Sequence, residues 1–388
     1  MTTLFSAFDL FPSSKGASTH IAHTVKAMEK KFGKTILISL GYGDMPGYQK
    51  EGDIIIRRFL DTHPNLLERA DYFGDFVYRL MTNSDDLQII HFRDIWSGIP
   101  ILAHPGSKNS LIVYEVNGFP SIELVCHYPR LMKNPGLINR IKEMEDFCLK
   151  SAHGIITVSQ VNKRCLMARG VDPEKIVVIP NTVYPQTSEI SPYNNDKKED
   201  FILYAGTLAP WQGLPVLLKA FSMIADKGNL CLYLACSTRK HLRPVRKMIR
   251  KLGLEQNMEL DIGLSRKEVY KLYRKSLFSV APLTRCARNE IQGCSPLKII
   301  ESMSAGTPVI ASGLPVCSEI IEHEKDGILV TPDSARSLAL AMERLVNDKN
   351  LVKKLGRQAA EKIKRSYSHK TWETRLYEAY DIFGDRLT

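Results

Sequence analysis

Residues 292–312 read QGCSPLKIIESMSAGTPVIAS, and this stretch decides the fold. It predicts a loop, a helix with Pro296 near its first turn, a glycine that ends the helix, and a buried strand. This order is typical of parallel α/β sheets, in which ligands bind at the carboxyl ends of strands and at helix N-termini. Lys298 and Glu301 are three residues apart and therefore share one helix face. There a lysine can neutralise phosphate and a carboxylate can accept hydrogen bonds from paired hydroxyls, although a surface ion pair has the same spacing.

Apolar runs of the β type recur on both sides of this stretch, with helical periodicity between them. The first half has such runs at 4–8, 35–39, 53–58, 87–91, 110–115, 154–158 and 176–179. The second half has them at 201–205, 230–235, 258–262, 277–282, 307–311 and 327–330. This alternation predicts two doubly wound parallel sheets with helices on both faces.

A polar stretch separates the two halves. Residues 185–200, PQTSEISPYNNDKKED, contain almost nothing that could pack in a core, so they predict a linker. We therefore expect an N-terminal domain over 1–184 and a C-terminal domain over 200–366. Two more helices follow, over 351–365 and 371–385, and the last has an apolar stripe that must be buried.

Composition agrees with two soluble domains. At 388 residues and 44% hydrophobic content, the chain has apolar material for two cores. No basic leader precedes a long apolar run, and no stretch reaches the roughly 18 apolar residues of a membrane span, so we expect a cytoplasmic protein. The eight cysteines lack zinc-ligand spacing and are expected to be reduced thiols.

The net charge of +11 lies almost entirely in the second half, where residues 191–388 hold 32 Lys and Arg against 22 Asp and Glu. Such an excess attracts phosphates, nucleic acid or an anionic membrane without choosing among them. Residues 239–251 carry seven of the basic residues on one side of an apolar stripe. They predict a basic amphipathic helix, with membrane-surface contact as the less favoured alternative. No nucleic-acid partner is expected, because no recognised module is present.

The loop after the first strand is a second candidate for phosphate binding. In FPSSKGAST, residues 11–19, Gly16 would let backbone approach a ligand, and Ser18 or Thr19 could cap the following helix. An ordinary tight turn has the same composition. The loop therefore counts as a site only together with other motifs.

Several segments together resemble the family-4 glycosyltransferases, which have the GT-B fold. Residues 295–312 are similar to the donor-binding helix of that family, and the other matches follow in family order. These are VS at 158–159, GVDPEKI at 170–176, VIPNTV at 178–183, YAGTLAPWQG at 204–213, SEII at 318–321 and DGILV at 326–330. The order of the matches, more than any single one, makes the resemblance specific.

The resemblance implies two Rossmann-like domains that face a cleft, with the C-terminal helix, within residues 367–388, crossing back to the N-terminal domain. It also implies a nucleotide-sugar donor in the second domain, an acceptor in the first, retention of anomeric configuration and no metal cofactor. The absence of an Asp-x-Asp pattern agrees with the last point. The donor-binding residues that it implies are Gly16, Thr207, Gln212, Gly263, Leu264, Gly293, Cys294, Ser295, Pro296, Leu297, Lys298 and Glu301. In the family the loop at Gly263 and Leu264 contacts the base, and a pyrimidine is favoured.

The donor motif departs from the family pattern at three positions. Gly293 stands where the family has a sugar-contacting glutamate, and Thr207 and Gln212 stand where it has arginine and lysine. Backbone N–H groups of residues 293–295 are the expected substitute for the glutamate. Lys298 is the preferred replacement for the lost phosphate contacts, and we also rank it among the catalytic residues, with Arg285 or Arg288 as helpers.

A fourth departure concerns the reacting centre. Asn117 occupies the position of a family histidine and cannot be a general base. In a front-face reaction with retention, the leaving phosphate oxygen can accept the proton while an amide dipole stabilises the cationic sugar. His91, at a strand end, is a second catalytic candidate, although a histidine bonded to backbone is as good an interpretation. Arg93, Asp94 and Glu123 are the expected acceptor-binding residues.

The sequence therefore predicts an enzyme that transfers a hexosyl group from a nucleotide sugar, by default UDP-glucose, to a saccharide or lipid-linked acceptor in polysaccharide or glycoconjugate synthesis. Peripheral contact with the inner membrane face is an option. The alternative is a catalytically degenerate sugar-nucleotide-binding or scaffold protein, because of the departures at Gly293, Thr207, Gln212 and Asn117. The sugar, base, acceptor, linkage and oligomeric state stay open.

Overall fold

A computed structural model describes residues 1–13, 16–60, 63–84, 86–183, 199–224 and 230–386. The chain divides into two compact units. The first comprises Met1–Val158, Asn162–Ile179 and Glu373–Thr388, and the second comprises Ser159–Val161 and Pro180–Trp372. The predicted linker over 185–200 lies outside the described residues except for its last two positions.

The first unit is built on an eight-stranded sheet in the order β3-β4-β2-β1-β5-β6-β7-β8. Its strands are β1 Thr2–Leu10, β2 Thr35–Leu40, β3 Tyr48–Glu51, β4 Ile54–Phe59, β5 Leu87–Phe92, β6 Leu111–Val116, β7 Gly154–Thr157 and β8 Ile176–Val178. All neighbours are parallel except β3, which is antiparallel to β4. On β1, Leu4 pairs with Ile36 on one side and with Ile90 on the other, so it lies in the centre of the sheet.

Helices of the first half follow the strands as the alternation predicts. They span Gly16–Phe32, Leu66–Thr82, Ile95–Ala103, Pro120–His127, Pro135–Ser151 and Gln160–Ala168. Two of the helices that follow strands begin at a side chain that satisfies a free N–H group: Asn65 accepts a hydrogen bond from the Leu67 amide, and Asp94 accepts one from the Ser97 amide. These caps fix where the chain leaves the carboxyl ends of β4 and β5.

The second unit has a fully parallel six-stranded sheet in the order β11-β10-β9-β12-β13-β14. Its strands are β9 Phe201–Gly206, β10 Cys231–Cys236, β11 Met258–Ile262, β12 Phe278–Ala281, β13 Val309–Ser312 and β14 Ile328–Val330. Its helices are Leu214–Ser222, Leu242–Lys251, Arg266–Lys275, Leu297–Ser304, Pro315–Ser318, Ala335–Asn347 and Lys349–Ser366. The predicted fold class of two doubly wound α/β halves is confirmed.

The last helix, His369–Asp385, belongs to the first unit from Glu373 onward. Its predicted stripe is buried there, with Tyr380 and Phe383 at most 2% exposed. The Phe383 ring lies directly on Gly154 of β7, where a Cβ atom would overlap the ring. The glycine is therefore required for the helix to pack against the sheet.

The sheet of the first unit differs from the prediction at one edge. Strand β3 has the sequence YQKE and is mostly exposed, so it has neither an apolar run nor an alternating pattern to reveal it. It forms because a turn places it antiparallel to β4 at the edge of the sheet. No helix within the described residues is long and apolar enough to span a membrane.

Candidate functional site

In the second unit, Lys298 lies across the loop that follows β9. Its Nζ would be 2.9 Å from a Cβ atom at Gly206, and the φ of 143° at Gly206 favours glycine at this position. The helix Leu297–Ser304 begins immediately before it, with Pro296 as the N-terminal capping residue. The sequence order of strand, glycine loop and helix thus brings the lysine to the carboxyl end of β9.

The Lys298 ammonium is surrounded by polarisable rather than anionic groups. Nζ donates a hydrogen bond to Gln212 Oε1 at 2.7 Å and lies 4.2 Å from the centroid of the Tyr204 ring. Burial lowers the pKa of Lys298 to about 7, and the nearby side chains of Cys236, Cys317 and Glu301 oppose that effect only in part. Among the described residues it forms no ion pair, so a bound anion would improve its environment.

Glu301 lies one helical turn beyond Lys298 and is half-buried. Burial raises the pKa of its carboxyl group, while Arg266 and Lys298 oppose the shift. No donor in the described part of the chain forms a hydrogen bond or an ion pair with it. The surface ion pair between Lys298 and Glu301 is therefore not formed, and the carboxylate is left to accept hydrogen bonds from hydroxyls.

Thr207 and Gln212, in the loop after β9, make different contacts. The Gln212 side chain holds the Lys298 ammonium, whereas the Thr207 side chain is exposed and its carbonyl accepts a hydrogen bond from Tyr204. Gln212 is thus a supporting residue for the lysine, which the sequence did not reveal. Both stay predictions as donor contacts.

The loop before the helix is held by the VIPNTV segment. Asn181 donates to Ser295 twice, from its backbone N–H to Oγ at 3.2 Å and from Nδ2 to the carbonyl at 2.8 Å. Gly293 has a φ of 88°, which favours glycine, and Cys294 is buried. The predicted helpers have other partners, since Arg285 pairs with Glu290 and Arg288 lies over the Trp211 ring.

Gly263 and Leu264 follow β11 and precede the helix Arg266–Lys275. Gly263 is exposed, has a φ of 77°, and has open space where a side chain would lie. A capping box between Ser265 and Glu268 fixes the start of the helix. The loop is therefore an open, rigidly anchored edge, as a base-binding role would need.

In the first unit, four side chains converge on the carboxylate of Glu115. His20 Nε2 and Arg93 Nε are each 3.0 Å from it, Asn117 Nδ2 is 2.5 Å away, and His91 Nε2 is 3.4 Å away. Glu115 is 3% exposed and lies on β6. Sequence analysis missed it, although a charged residue within the buried strand LIVYEV was a signal that could have found it.

The charges around Glu115 keep it ionised. Burial alone would raise the pKa of Glu115, but the His20 and Arg93 charges and the hydrogen bond from His20 hold it well below its usual value. Arg93 also contacts Asp9 at 3.0 Å through Nη1. Arg93, predicted as an acceptor contact, is therefore held in a fixed orientation at the end of β5.

Asn117 is half-buried just after β6. Because its Nδ2 group donates to Glu115, the side-chain oxygen is directed away from the carboxylate. No hydrogen bond to that oxygen comes from the described residues. The Asn117 side-chain oxygen, the negative end of the amide dipole, thus has a fixed orientation and accepts no hydrogen bond from the described residues.

Two predicted residues have other positions than expected. His91 does not point out of the sheet, because its ring is fully buried and its Nδ1 is 2.6 Å from the Tyr380 hydroxyl; burial lowers its pKa. The alternative of a backbone-bonded histidine is also wrong, because the hydrogen-bond partner of Nδ1 is a side chain, and Nε2 is buried without a hydrogen-bond partner among the described residues. Asp94 caps the helix Ile95–Ala103, and its carboxylate oxygens accept hydrogen bonds from the backbone N–H groups of Ser97 and Phe8. Burial raises the Asp94 pKa to about 6.

The remaining candidates lie elsewhere in the first unit. Gly16 is the first residue of its helix, and Glu123 lies on the helix Pro120–His127. A groove of about 350 Å³ between the helices Leu66–Thr82 and Ile95–Ala103 is lined by Asp71, Tyr78 and Trp96 among others. No residue of the Glu115 cluster lines that groove.

Two family models match this chain. The family described as Glycosyltransferase Family 4 matches residues 14–187, and the family described as Glycosyl transferases group 1 matches residues 185–362. An uncharacterised glycosyltransferase of Methanocaldococcus jannaschii is 23% identical over 95% of this chain and 94% of its own. The O-antigen chain mannosyltransferase RfbU of Salmonella typhimurium is 27% identical over 51% of this chain, and the match spans about half of that relative (52%).

Solved structures share the fold. Sucrose-phosphate synthase from Thermosynechococcus elongatus has a TM-score of 0.78 at 16% identity, with 98% of each chain covered. HepE from Anabaena, solved in complex with UDP-glucose, has a TM-score of 0.70 at 16% identity and covers 98% of this chain and 99% of its own. At these identities the similarity shows the fold alone.

Proposed function

Since this chain is a family-4 glycosyltransferase of the GT-B fold, we propose that it transfers a hexosyl group with retention from a nucleoside diphosphate sugar, with UDP-glucose as the default donor. The acceptor that we propose is a saccharide or a lipid-linked saccharide in polysaccharide or glycoconjugate synthesis. The O-antigen relative supports this setting, and the UDP-glucose complex of HepE supports the donor.

One observation carries the proposal: Lys298 and Glu301 share a helix face, and neither forms an ion pair within the described residues. An ammonium with a single hydrogen bond to Gln212 suits a diphosphate, because it has donors to spare and gains a counter-charge. A carboxylate one turn away suits the paired hydroxyls of ribose or hexose. The two groups therefore match the two chemical parts of a nucleotide sugar.

In this proposal, Lys298 stabilises the negative charge of the leaving diphosphate. As the bond between the anomeric carbon and the phosphate oxygen breaks, negative charge grows on the diphosphate, and the adjacent ammonium stabilises it. The acceptor hydroxyl oxygen then bonds to the anomeric carbon on the face that the diphosphate leaves, and its proton passes to the leaving phosphate oxygen. No metal ion is invoked for this step.

Asn117 would stabilise the other charge. A sugar that loses its phosphate gains positive charge at the anomeric carbon, and the oriented amide oxygen presents the negative end of a dipole. Glu115 determines that orientation by accepting from Nδ2 at 2.5 Å. Arg93, held by Glu115 and Asp9, would bind an acceptor oxygen.

Titration calorimetry with UDP, GDP, ADP and their sugars tests the donor site, followed by sugar-release assays. The variants are Lys298→Met and Glu301→Gln, with exposed Lys353→Gln as the matched control. We expect one nucleotide to bind, with affinity lost about tenfold or more in both site variants and kept in the control. No nucleotide binding would overturn the proposal. Binding without release of sugar, with acceptors supplied, would favour the degenerate sugar-nucleotide-binding protein that the changes at Gly293 and Thr207 suggest.

A further inference from the structure

In the second unit, the helix Leu242–Lys251 and the turn before it carry a basic face, which we define as Arg239, Lys240, Arg243, Arg246, Lys247, Arg250 and Lys251. All seven side chains are exposed, and residues 239–251 contain no Asp or Glu. Val245 and Ile249 are 8% exposed and anchor the opposite side of the helix in the core. The apolar side is therefore used by the fold, and only the cations are presented outward.

Most of these cations have no counter-charge. In the described ranges of the chain, Arg243, Arg246, Lys247 and Arg250 form neither an ion pair nor a hydrogen bond through their side chains. The helix Lys349–Ser366 of the same unit is comparably basic and also has exposed cations that form no ion pair within the described residues. Its basic surface differs in that Glu361 lies within it and pairs with Arg357, and Asp326 pairs with Lys362. Unpaired like charges on one face repel one another, so the basic face is destabilising unless an anionic surface covers it.

The geometry points to one occupant: we propose that the basic face docks on an anionic phospholipid surface. A ten-residue helix is about 15 Å long, and its four central cations fall on one side, so they can contact lipid phosphates in one plane. Residues 237–252 contain no Phe, Tyr or Trp on which bases could stack, which disfavours single-stranded nucleic acid. The contact is electrostatic only, because no apolar side chain is left to insert.

This inference goes beyond the transfer reaction and does not depend on donor binding. Each cation near an anionic surface changes affinity by about fivefold, so several together give measurable binding that salt removes. The enzyme would then work at the membrane surface, where a lipid-linked acceptor is concentrated.

Vesicle sedimentation tests the proposal with the full-length chain. The probes are vesicles of phosphatidylcholine alone and vesicles in which phosphatidylglycerol replaces part of it, at low and high salt. The variant is Arg243→Gln, Arg246→Gln, Lys247→Gln and Arg250→Gln together, since glutamine keeps the helix propensity. The matched control removes four exposed cations from the other basic helix, by Lys353→Gln, Lys354→Gln, Lys364→Gln and Arg365→Gln.

We expect the wild type to sediment with the anionic vesicles only, and the first variant to lose at least about tenfold in affinity while the control keeps it within about twofold. UDP affinity should be the same in all three proteins, and neither variant should unfold at a lower temperature than the wild type, since removing like-charge repulsion does not destabilise the helix. Absence of wild-type sedimentation, or an equal loss in both variants, would overturn the proposal. So would tighter binding of a DNA duplex that the first variant alone abolishes, because nucleic acid would then be the partner.

Discussion

Asn117 Nδ2 donates a hydrogen bond to Oε1 of the buried Glu115 carboxylate at 2.5 Å, and this contact determines that the amide oxygen of Asn117 faces away from Glu115. Glu115 also accepts from Arg93 and His20, so one carboxylate orients the predicted catalytic amide and the predicted acceptor-binding guanidinium. Burial of an unpaired carboxylate is costly, and the contacts with His20 and Arg93 hold the pKa of Glu115 low enough to keep it charged.

Glu115→Gln should lower kcat about tenfold to hundredfold, because a glutamine can donate as well as accept and no longer holds the Asn117 amide in one orientation. UDP affinity should stay unchanged, since the proposed diphosphate contacts, Lys298 and Glu301, lie in the second unit. Steady-state kinetics with calorimetry on the same preparation measures both, and Asn117→Asp serves as the comparison. A loss of UDP affinity equal to the loss in kcat would show a general folding defect instead.

Much of the fold follows from the sequence because apolar periodicity is strong in both halves. Each of the thirteen predicted runs has a strand near its expected position, whereas YQKE of β3 pairs at an edge through the turn after it and has no apolar signal. The order of the motifs also placed Lys298 and Glu301 on one helix face.

Side-chain roles in the first unit were harder to predict. Asp94 and His91 lie at a strand end, where a ligand contact and a structural contact need the same residue types. Only the tertiary structure shows that Asp94 accepts hydrogen bonds from the Phe8 and Ser97 amides. It also shows that His91 is hydrogen-bonded to the Tyr380 hydroxyl. Gln212 is a similar case, because its partner Lys298 is far away in the chain.

Gly154→Ala should destabilise the first unit by about 1–3 kcal/mol, because the new methyl group overlaps the Phe383 ring of the crossing helix. Denaturant unfolding measures the change. Gly384→Ala is the matched control, since no atom lies near its Cβ position, and it should be neutral or stabilising. If Gly154→Ala unfolds like the wild type, the helix does not depend on this contact.

Donor affinity should depend on pH through Lys298. In the free protein its pKa is about 7, and a bound diphosphate raises that pKa, so donor binding takes up a proton above pH 7. Affinity for UDP-glucose should therefore be constant below about pH 7 and fall by up to about tenfold per pH unit above it. Calorimetry in buffers of different ionisation enthalpy measures the proton uptake. Lys298→Arg should flatten the profile, because arginine stays charged, and a flat wild-type profile would contradict the assignment.

Lys298→Met should separate stability from function. Burial works against the ammonium, as its lowered pKa indicates, and methionine has a similar length without a charge to desolvate. We expect the free variant to be more stable than the wild type by on the order of 1 kcal/mol, seen as a rise of about 2–4 °C in Tm, while UDP affinity falls about tenfold or more. Thermal unfolding with and without UDP measures both effects in one experiment. A lysine that served only the packing of the helix Leu297–Ser304 would give the opposite pattern, a lower Tm with UDP affinity unchanged, because its hydrogen bond to Gln212 would be lost without any effect on the ligand.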